Sequence, residues 1–257
     1  MSTLTLTNVS MGYVTKREAT LALDSISLTV EDGEFVSILG PSGCGKTTLL
    51  SIIAGLLTPT SGHITIGDQE IKKTNTSMGY MLQQDYLFPW RTIEDNLMLG
   101  LNIRRSYSES TKREALNWLQ QLGLGDKKDL YPNQLSGGMR QRVALVRMLA
   151  TNPSLMLLDE PFSALDYQTK LKLEDLVFQT LKSEKKTAVL VTHDIGEAIA
   201  MSDRVVLLSP RPGRIYKVFE IPKDIANILP FEARQHQHFN EQFQIIWKEM
   251  ESLATAT

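Results

Sequence analysis

A single cysteine in 257 residues, Cys44, excludes an internal disulfide framework and suits a reducing compartment. Long hydrophobic runs are missing as well. The longest candidate, Leu49 to Leu57, is interrupted by Ser51 and Gly55, well short of the roughly 18 apolar residues that a bilayer requires. The chain is therefore not expected to cross a membrane alone. The stretch MSTLTLTNVS at the amino terminus has neither a charged leader nor an apolar signal core, so export is not expected. A formal charge of −2 gives no bulk electrostatic attraction for nucleic acid, which is not the expected partner. No internal repeat marks a tandem or solenoid architecture. His236 and His238 form an HQH pair with no further ligand nearby in the sequence, and they are read as solvated helix side chains rather than a metal site.

What is present is a 42% hydrophobic content, enough for a core in one large domain, and a glycine-rich loop. Residues 40–48 are Gly40, Pro41, Ser42, Gly43, Cys44, Gly45, Lys46, Thr47 and Thr48, preceded by the apolar run Phe35 to Leu39. Glycines at 40, 43 and 45 let the backbone turn tightly enough to aim successive N–H groups at phosphate oxygens. Lys46 adds a point charge for the β and γ phosphates, and Thr47 offers a hydroxyl to Mg²⁺. Leu49, Leu50, Ile52 and Ile53 predict that a helix starts here with its positive end toward the anion. A chance match to the whole pattern in a chain of this length is on the order of a per cent. The loop predicts nucleoside triphosphate binding.

Four short apolar runs are too continuous for half-exposed strands and fit a parallel sheet covered on both faces. Phe35–Leu39 opens into the phosphate loop. Met78–Leu82 delivers Gln83, whose amide oxygen suits a cation. Leu155–Leu158 ends in Asp159 and Glu160, and Ala188–Val191 ends in Thr192 and His193. Ligands of open α/β sheets bind outside the carboxyl ends of the strands, so polar groups from four runs are expected on one edge. On charge alone, Asp159 is expected to hold Mg²⁺ beside Thr47 and Gln83, Glu160 to orient or deprotonate the attacking water, and His193 to contact the γ phosphate. Taken singly, Asp159 and Glu160 also fit a helix cap and His193 an ordinary loop histidine.

Gln134 to Arg142, QLSGGMRQR, opens a further helix carried by Val143, Ala144, Val146, Arg147 and Leu149. Ser136 occupies the position of an amino-terminal cap above an exposed Gly137-Gly138 backbone, a second anion cradle. One phosphate loop and one unused cradle suggest that the cradle serves a second copy's nucleotide.

With these motifs in this order, the chain resembles the ATP-binding cassette subunit of ABC transporters over nearly its whole length. LSGGM at 135–139 is similar to that family's signature, with Met139 where glutamine is commoner. The resemblance implies that Ser136 and Gly138 contact phosphate, that Gln83 is the Q-loop glutamine, and that LMLLDE ending at Glu160 is the Walker B strand. It makes Ser163 to Asp166 the D-loop, His193 the switch histidine and Tyr13 the aromatic that stacks on adenine, although MGY also fits an ordinary core or surface tyrosine. Gln83, Lys46, Glu160 and His193 are then the catalytic set, with Thr47, Gln83 and Asp159 on the metal. The implied fold is α/β: a P-loop NTPase core with a mainly parallel sheet, a small antiparallel β subdomain and an inserted α-helical subdomain. The implied cofactors are ATP and Mg²⁺. The implied partners are a second cassette, identical or closely related, transmembrane permease subunits and, indirectly, a solute-binding protein, with the chain peripheral on the cytoplasmic face of the cell membrane.

Residues 1–230 are expected to form one cassette domain, with the helical part at about 91–153 and a helical tail at 231–257. Alternating Leu4, Leu6, Val9 and then Leu23, Ile26, Leu28, Val30 predict antiparallel strands around a polar loop from Thr15 to Thr20. Phe239, Phe243, Ile246, Trp247 and Met250 share one helical face, for packing on the domain or on a partner. Leu87-Phe88-Pro89-Trp90-Arg91 is an apolar loop cluster where the family receives a cytoplasmic helix of the permease. That element, with Ser209 to Ile215 (SPRPGRI), resembles the importers of nitrate, taurine and aliphatic sulfonates, although Phe88 stands where leucine is more usual. The arginines of SPRPGRI are expected in solvent. An exporter cassette, a non-transport ABC ATPase and a plain P-loop kinase are the alternatives; the kinase leaves LSGGM and His193 without a role.

Overall fold

A computed structural model describes residues 3–14, 19–75 and 77–255. The Thr15 to Thr20 loop therefore lies largely outside the described residues, as does the start of the amino-terminal stretch. In chain order the elements are β1 (Leu4–Val14), β2 (Ala19–Val30), β3 (Phe35–Leu39), α1 (Lys46–Ile53), β4 (Ser61–Ile66), β5 (Gln69–Glu70), β6 (Met78–Met81), α2 (Ile93–Ile103), α3 (Glu109–Gln121), α4 (Gly137–Leu149), β7 (Leu155–Asp159), α5 (Tyr167–Ser183), β8 (Thr187–Val191), α6 (Ile195–Met201), β9 (Arg204–Leu208), β10 (Ile215–Glu220), α7 (Lys223–Ala226), α8 (Pro230–Ala233) and α9 (Gln237–Thr255). They fall into two compact units, Met1–Asn75 with Glu174–Thr257, and Thr76–Leu173. Among the described residues no helix is long and apolar enough to cross a membrane.

In the first unit β1 pairs antiparallel with β2 and β4, and β5 extends β4. Leu4, Leu6 and Val9 from β1 and Ile26, Leu28 and Val30 from β2 are buried, as the alternation predicts. The parallel part is centred on β3, which pairs with β8 on one side and β9 on the other, and β10 closes antiparallel on β9. Every residue of β3 and β8 is buried, which is why both read as unbroken apolar runs. Ile38 lies opposite Val191, so the phosphate loop and Thr192-His193 leave the same sheet edge.

The tail belongs to this unit. Phe239 and Ile246 of α9 are buried against Ile195, Ala198 and Ile199 of α6 and against Phe219 and Ile225, with Phe243 and Met250 partly buried beside them. Each full burial of this kind contributes about 1.5–3 kcal/mol. Trp247 departs from the expected face: it stacks on Phe243 with ring centroids 6.2 Å apart but keeps 51% of its surface exposed. Positions 239, 243, 246 and 250 follow the helical period closely, whereas 247 sits one residue round from 246, on the flank of the stripe.

In the second unit β6 and β7 are parallel, from Met78 opposite Leu155 to Met81 opposite Leu158, so Gln83 and Asp159-Glu160 also leave from one edge. Helices α2, α3 and α4 supply the helical part, each with a side-chain cap: Thr92 accepts from Asp95, Ser108 from Thr111 and Ser136 from Met139. Buried Asn96 ties down the loop before α2, accepting from the Phe88 N–H at 2.8 Å and donating to the carbonyls of Phe88, Arg91 and Thr92. Within the apolar loop cluster Leu87 is buried and Phe88 half-buried, while Trp90 remains 70% exposed.

Candidate active site

Gly45 caps α1 at φ 100, a left-handed conformation, and a Cβ there would stand 2.7 Å from Leu23 Cδ2. Glycine is required on both counts. α1 has no side-chain cap at Gly45 and no acidic residue in its first turn, so its first N–H groups and positive end suit an anion. The Lys46 ammonium lies across the loop, donating to the carbonyls of Gly40 at 2.7 Å and Pro41 at 3.0 Å. Thr47 is exposed. The Tyr13 hydroxyl is 3.3 Å from Thr48 Oγ1, with the tyrosine 40% exposed, so β1 brings this aromatic to the start of α1.

Cys44 points inward and is 1% exposed. Burial pushes its thiol up, outweighing the Lys46 ammonium 3.9 Å away, the reverse of the lowering that a helix start ordinarily brings to a thiol. The arginines of SPRPGRI are exposed, as expected, and both find partners from the surface. Arg211 Nε donates to the Gly43 carbonyl at 3.4 Å. Arg214 pairs with Asp24 at 2.5 Å and, with the Ser25 hydroxyl, holds that carboxyl below its usual range. Gly213 bonds Ala22 and Asp24 through its backbone and lies so close to the phosphate loop that a Cβ would stand 2.1 Å from the Cys44 carbonyl. The turn is a back wall of the loop, joined to it across some 170 positions of sequence.

His193 is exposed at the end of β8. The residues after it are closed into a ring: the Asp194 N–H donates to Thr192 Oγ1 at 3.0 Å, the Thr192 hydroxyl donates to Glu197 Oε2, and the Glu197 N–H donates to Asp194 Oδ1 at 3.1 Å.

The second unit brings Gln83, Asp159 and Glu160 together with a residue to which the sequence assigned no role, Gln141. Gln83 Nε2 donates to Glu160 Oε2 at 3.2 Å. Glu160 has φ 49, a left-handed backbone costing about 1–2 kcal/mol for a residue with a Cβ. Three donors hold its carbonyl there: Ser163 N at 3.3 Å, Ser163 Oγ at 3.0 Å and Gln141 Nε2 at 3.2 Å. Gln141 also accepts from the Ala164 N–H at 3.2 Å, so α4 is bonded to the segment carrying Glu160. A polar residue on the buried face of an otherwise apolar helix was the available signal. Asp166 caps α5 by accepting from the Thr169 N–H.

Ser136 begins α4 with its Oγ accepting from Met139 N at 3.3 Å. Arg140, next along, donates to Asp85 Oδ2 at 2.9 Å and to the Leu135 carbonyl at 2.9 Å, while Arg147 donates to the carbonyls of Asp85 and Tyr86. The segment after Gln83 is thereby fastened to α4. Beside it is a cavity of about 340 Å³ lined by Met81, Phe88, Leu99, Ile103, Ala144 and Met148 among others. Lys46, Thr47, Tyr13 and His193 thus belong to the first unit and Gln83, Ser136, Gly138, Asp159 and Glu160 to the second. Gln83 and Asp159 in the second unit, and Thr47 in the first, each offer oxygen of the kind that suits a hard cation such as Mg²⁺; since the Gln83 nitrogen is engaged with Glu160, its oxygen is the atom to offer.

Comparison with known proteins matches residues 23–163 to the ABC transporter family. An ABC transporter ATP-binding protein of Bacillus subtilis, YtlC, described as uncharacterized, is 58% identical over 98% of this chain and 97% of its own length. The taurine import ATP-binding protein TauB of Ruegeria pomeroyi is 42% identical over 86% of this chain and 83% of its own. The aliphatic sulfonates import ATP-binding protein SsuB of Bacillus cereus is 39% identical, covering 96% and 94%. Among solved structures, the dimeric cassette MJ0796, also known in a post-hydrolysis state bound to ADP and Pi, superposes with TM-scores of 0.78 and 0.77 at 35% identity, over 85% of this chain and 99% of that one.

Proposed function

The chain belongs to the ABC transporter family as an ATP-binding, ATP-hydrolysing cassette, and from that premise we propose that it energises an importer of a small anionic solute, of the nitrate, taurine or alkyl sulfonate kind. Relatives named for taurine and aliphatic sulfonate import, at about 40% identity, support the direction and the class of cargo. The observation that carries the catalytic assignment is Glu160, its carboxylate held by Gln83 and its left-handed backbone by Gln141 and Ser163.

In this proposal the N–H groups from Gly43 to Thr48 take the phosphates, and the Lys46 ammonium exchanges the carbonyls of Gly40 and Pro41 for phosphate oxygens. Tyr13 lies under the adenine. Thr47, Gln83 and Asp159 would hold Mg²⁺, which when bound would supply positive charge to offset that of the phosphates. Glu160 takes a proton from water as the water oxygen bonds to the γ phosphorus and the bond to the bridging oxygen breaks, ADP leaving with that oxygen. His193 holds the γ phosphate in line. The Ser136-Gly138 cradle closes on the nucleotide of a second cassette, identical or closely related, so that turnover belongs to the pair. The cavity beside Phe88 and the exposed Trp90 receive a short apolar helix of a permease, which holds the cassette at the cytoplasmic face of the membrane; a solute-binding protein acts on the permease from the other side.

Glu160→Gln is expected to keep ATP affinity, lower phosphate release at least about 10²-fold and accumulate an ATP-bound dimer in size-exclusion chromatography. Normal turnover in that variant removes Glu160 as the base. Uptake of labelled taurine or alkyl sulfonates by the assembled transporter tests the cargo.

A further inference from the structure

The HQH pair has a third partner that its sequence neighbourhood does not reveal. Asp224 of α7 comes up against both histidines where α9 begins: His238 Nδ1 is 2.5 Å from Asp224 Oδ2, and His236 Nε2 is 4.0 Å from the same oxygen. One ligand atom from each of the three residues can be chosen so that all three lie within 4.8 Å of one another. The two rings are 5.2 Å apart and tilted by 59°, and His236 turns its Nδ1 to the His238 N–H at 3.4 Å, which sends Nε2 toward Asp224. We propose that Asp224, His236 and His238 form a binding site for a divalent transition-metal ion, with Zn²⁺ as the representative ion, distinct from the nucleotide's Mg²⁺.

The donor set selects the metal class. Two imidazole nitrogens and one carboxylate oxygen suit Zn²⁺, Ni²⁺, Co²⁺ or Cu²⁺, whereas Mg²⁺ and Ca²⁺ favour oxygen alone. Metal–ligand bonds of about 2.0–2.2 Å in a tetrahedron put ligand atoms about 3.3 Å apart. The present separations of 2.5 and 4.0 Å bracket that value, so opening one and closing the other takes displacements of under about 1 Å. The side chains are 43%, 39% and 46% exposed for Asp224, His236 and His238, which gives an ion free access and leaves room for water as the fourth ligand. Binding through Nδ1 takes the neutral His238 tautomer that carries its ring proton on Nε2.

The site has a structural consequence. His236 and His238 flank the first residue of α9, and Phe239, next in sequence, is the first anchor of the α9 stripe on the α6 core. A bound ion clasps the first turn of α9 to α7 and adds a bond to the end of the tail where packing begins. A metal-dependent gain in the stability of the tail follows.

The test uses the full chain without a polyhistidine tag, stripped with chelator and titrated with Co²⁺ and Zn²⁺ in excess Mg²⁺ and without nucleotide. One ion per chain, a visible Co²⁺ ligand-field spectrum and a Zn²⁺-dependent rise in melting temperature are expected. Asp224→Ala, His236→Ala and His238→Ala are each expected to weaken binding by at least about tenfold and abolish the thermal shift. The same variants leave Mg²⁺-supported ATPase activity without added Zn²⁺ or Co²⁺, and circular dichroism, unchanged, since the three side chains lie outside the nucleotide machinery. Equal isotherms for wild type and variants overturn the proposal. So does half an ion per chain with metal-linked dimers, because the ligands would then come from two copies.

Discussion

Gln141→Leu separates positioning from folding at Glu160. Gln141 is 4% exposed and makes two hydrogen bonds, to the Glu160 carbonyl and from the Ala164 N–H, each 3.2 Å. Leucine keeps nearly the same volume and removes both. The cost in stability is small: Ser163 continues to donate to the Glu160 carbonyl through its N–H and its hydroxyl, and Ala164 is exposed enough for water to replace its partner. Two neutral hydrogen bonds at a net 0.5–1.5 kcal/mol each, less what the leucine gains by burial, leave about 1–2 kcal/mol. For a chain of this size that lowers the melting temperature by about 2–8 °C. Turnover is expected to suffer more. The lost bond restrains a left-handed residue that gains about 1–2 kcal/mol by relaxing, and a carboxylate displaced by about 1 Å loses on the order of 10² in rate. The assay is phosphate release at saturating ATP from the cassette assembled with its permease, beside a melt and a nucleotide-binding titration. A large fall in kcat with unchanged ATP affinity is the expected signature. A kcat within twofold of wild type, in a variant that melts as predicted, refutes the positioning role and leaves Gln141 as a packing residue.

Ser136→Arg fills the cradle at the start of α4; ATP binding to the single chain is expected to persist while turnover of the assembled transporter drops at least about 10²-fold, and unchanged turnover counts against a cradle shared between copies. Gly213→Ala drives a Cβ to 2.1 Å from the Cys44 carbonyl, and overpacking of about 1–3 kcal/mol transmitted to the loop weakens ATP affinity about 5- to 150-fold; unaltered affinity in a titration shows that the turn does not support the loop. Cys44 is expected to react with iodoacetamide at least about tenfold more slowly in the folded protein than after denaturation, since the thiolate is the reactive form and burial disfavours it. Because the folded thiol is raised, its contribution to stability is present below the unfolded value of about 8.5 and is lost as pH climbs above it; a Cys44→Ser variant with the same alkaline stability profile as wild type would contradict this.

Everything written in short, contiguous pattern was legible in the sequence. Phosphate loop, strand ends and helix caps depend on residues within a few positions of one another, so Gly40 to Thr48, Gln83, Ser136, Asp159, Glu160 and His193 could be singled out from spacing and chemistry before any coordinate. The parallel sheet could be anticipated because β3, β7 and β8 are buried on both faces and so carry no alternation. Tertiary structure decided what depends on distant segments meeting. It turned Cys44 inward, set Gly213 against the phosphate loop, pinned Glu160 in a left-handed conformation through Gln141, and brought Asp224 to the two histidines. Helical periodicity placed Phe239 and Ile246 in the core, but burial against α6 and Phe219 left Trp247 on the flank. The division follows from how chain geometry encodes contact. Bond lengths and dihedral preferences fix which neighbours along the chain share a face, whereas contact between residues far apart in sequence depends on packing of whole elements, which no local spacing records.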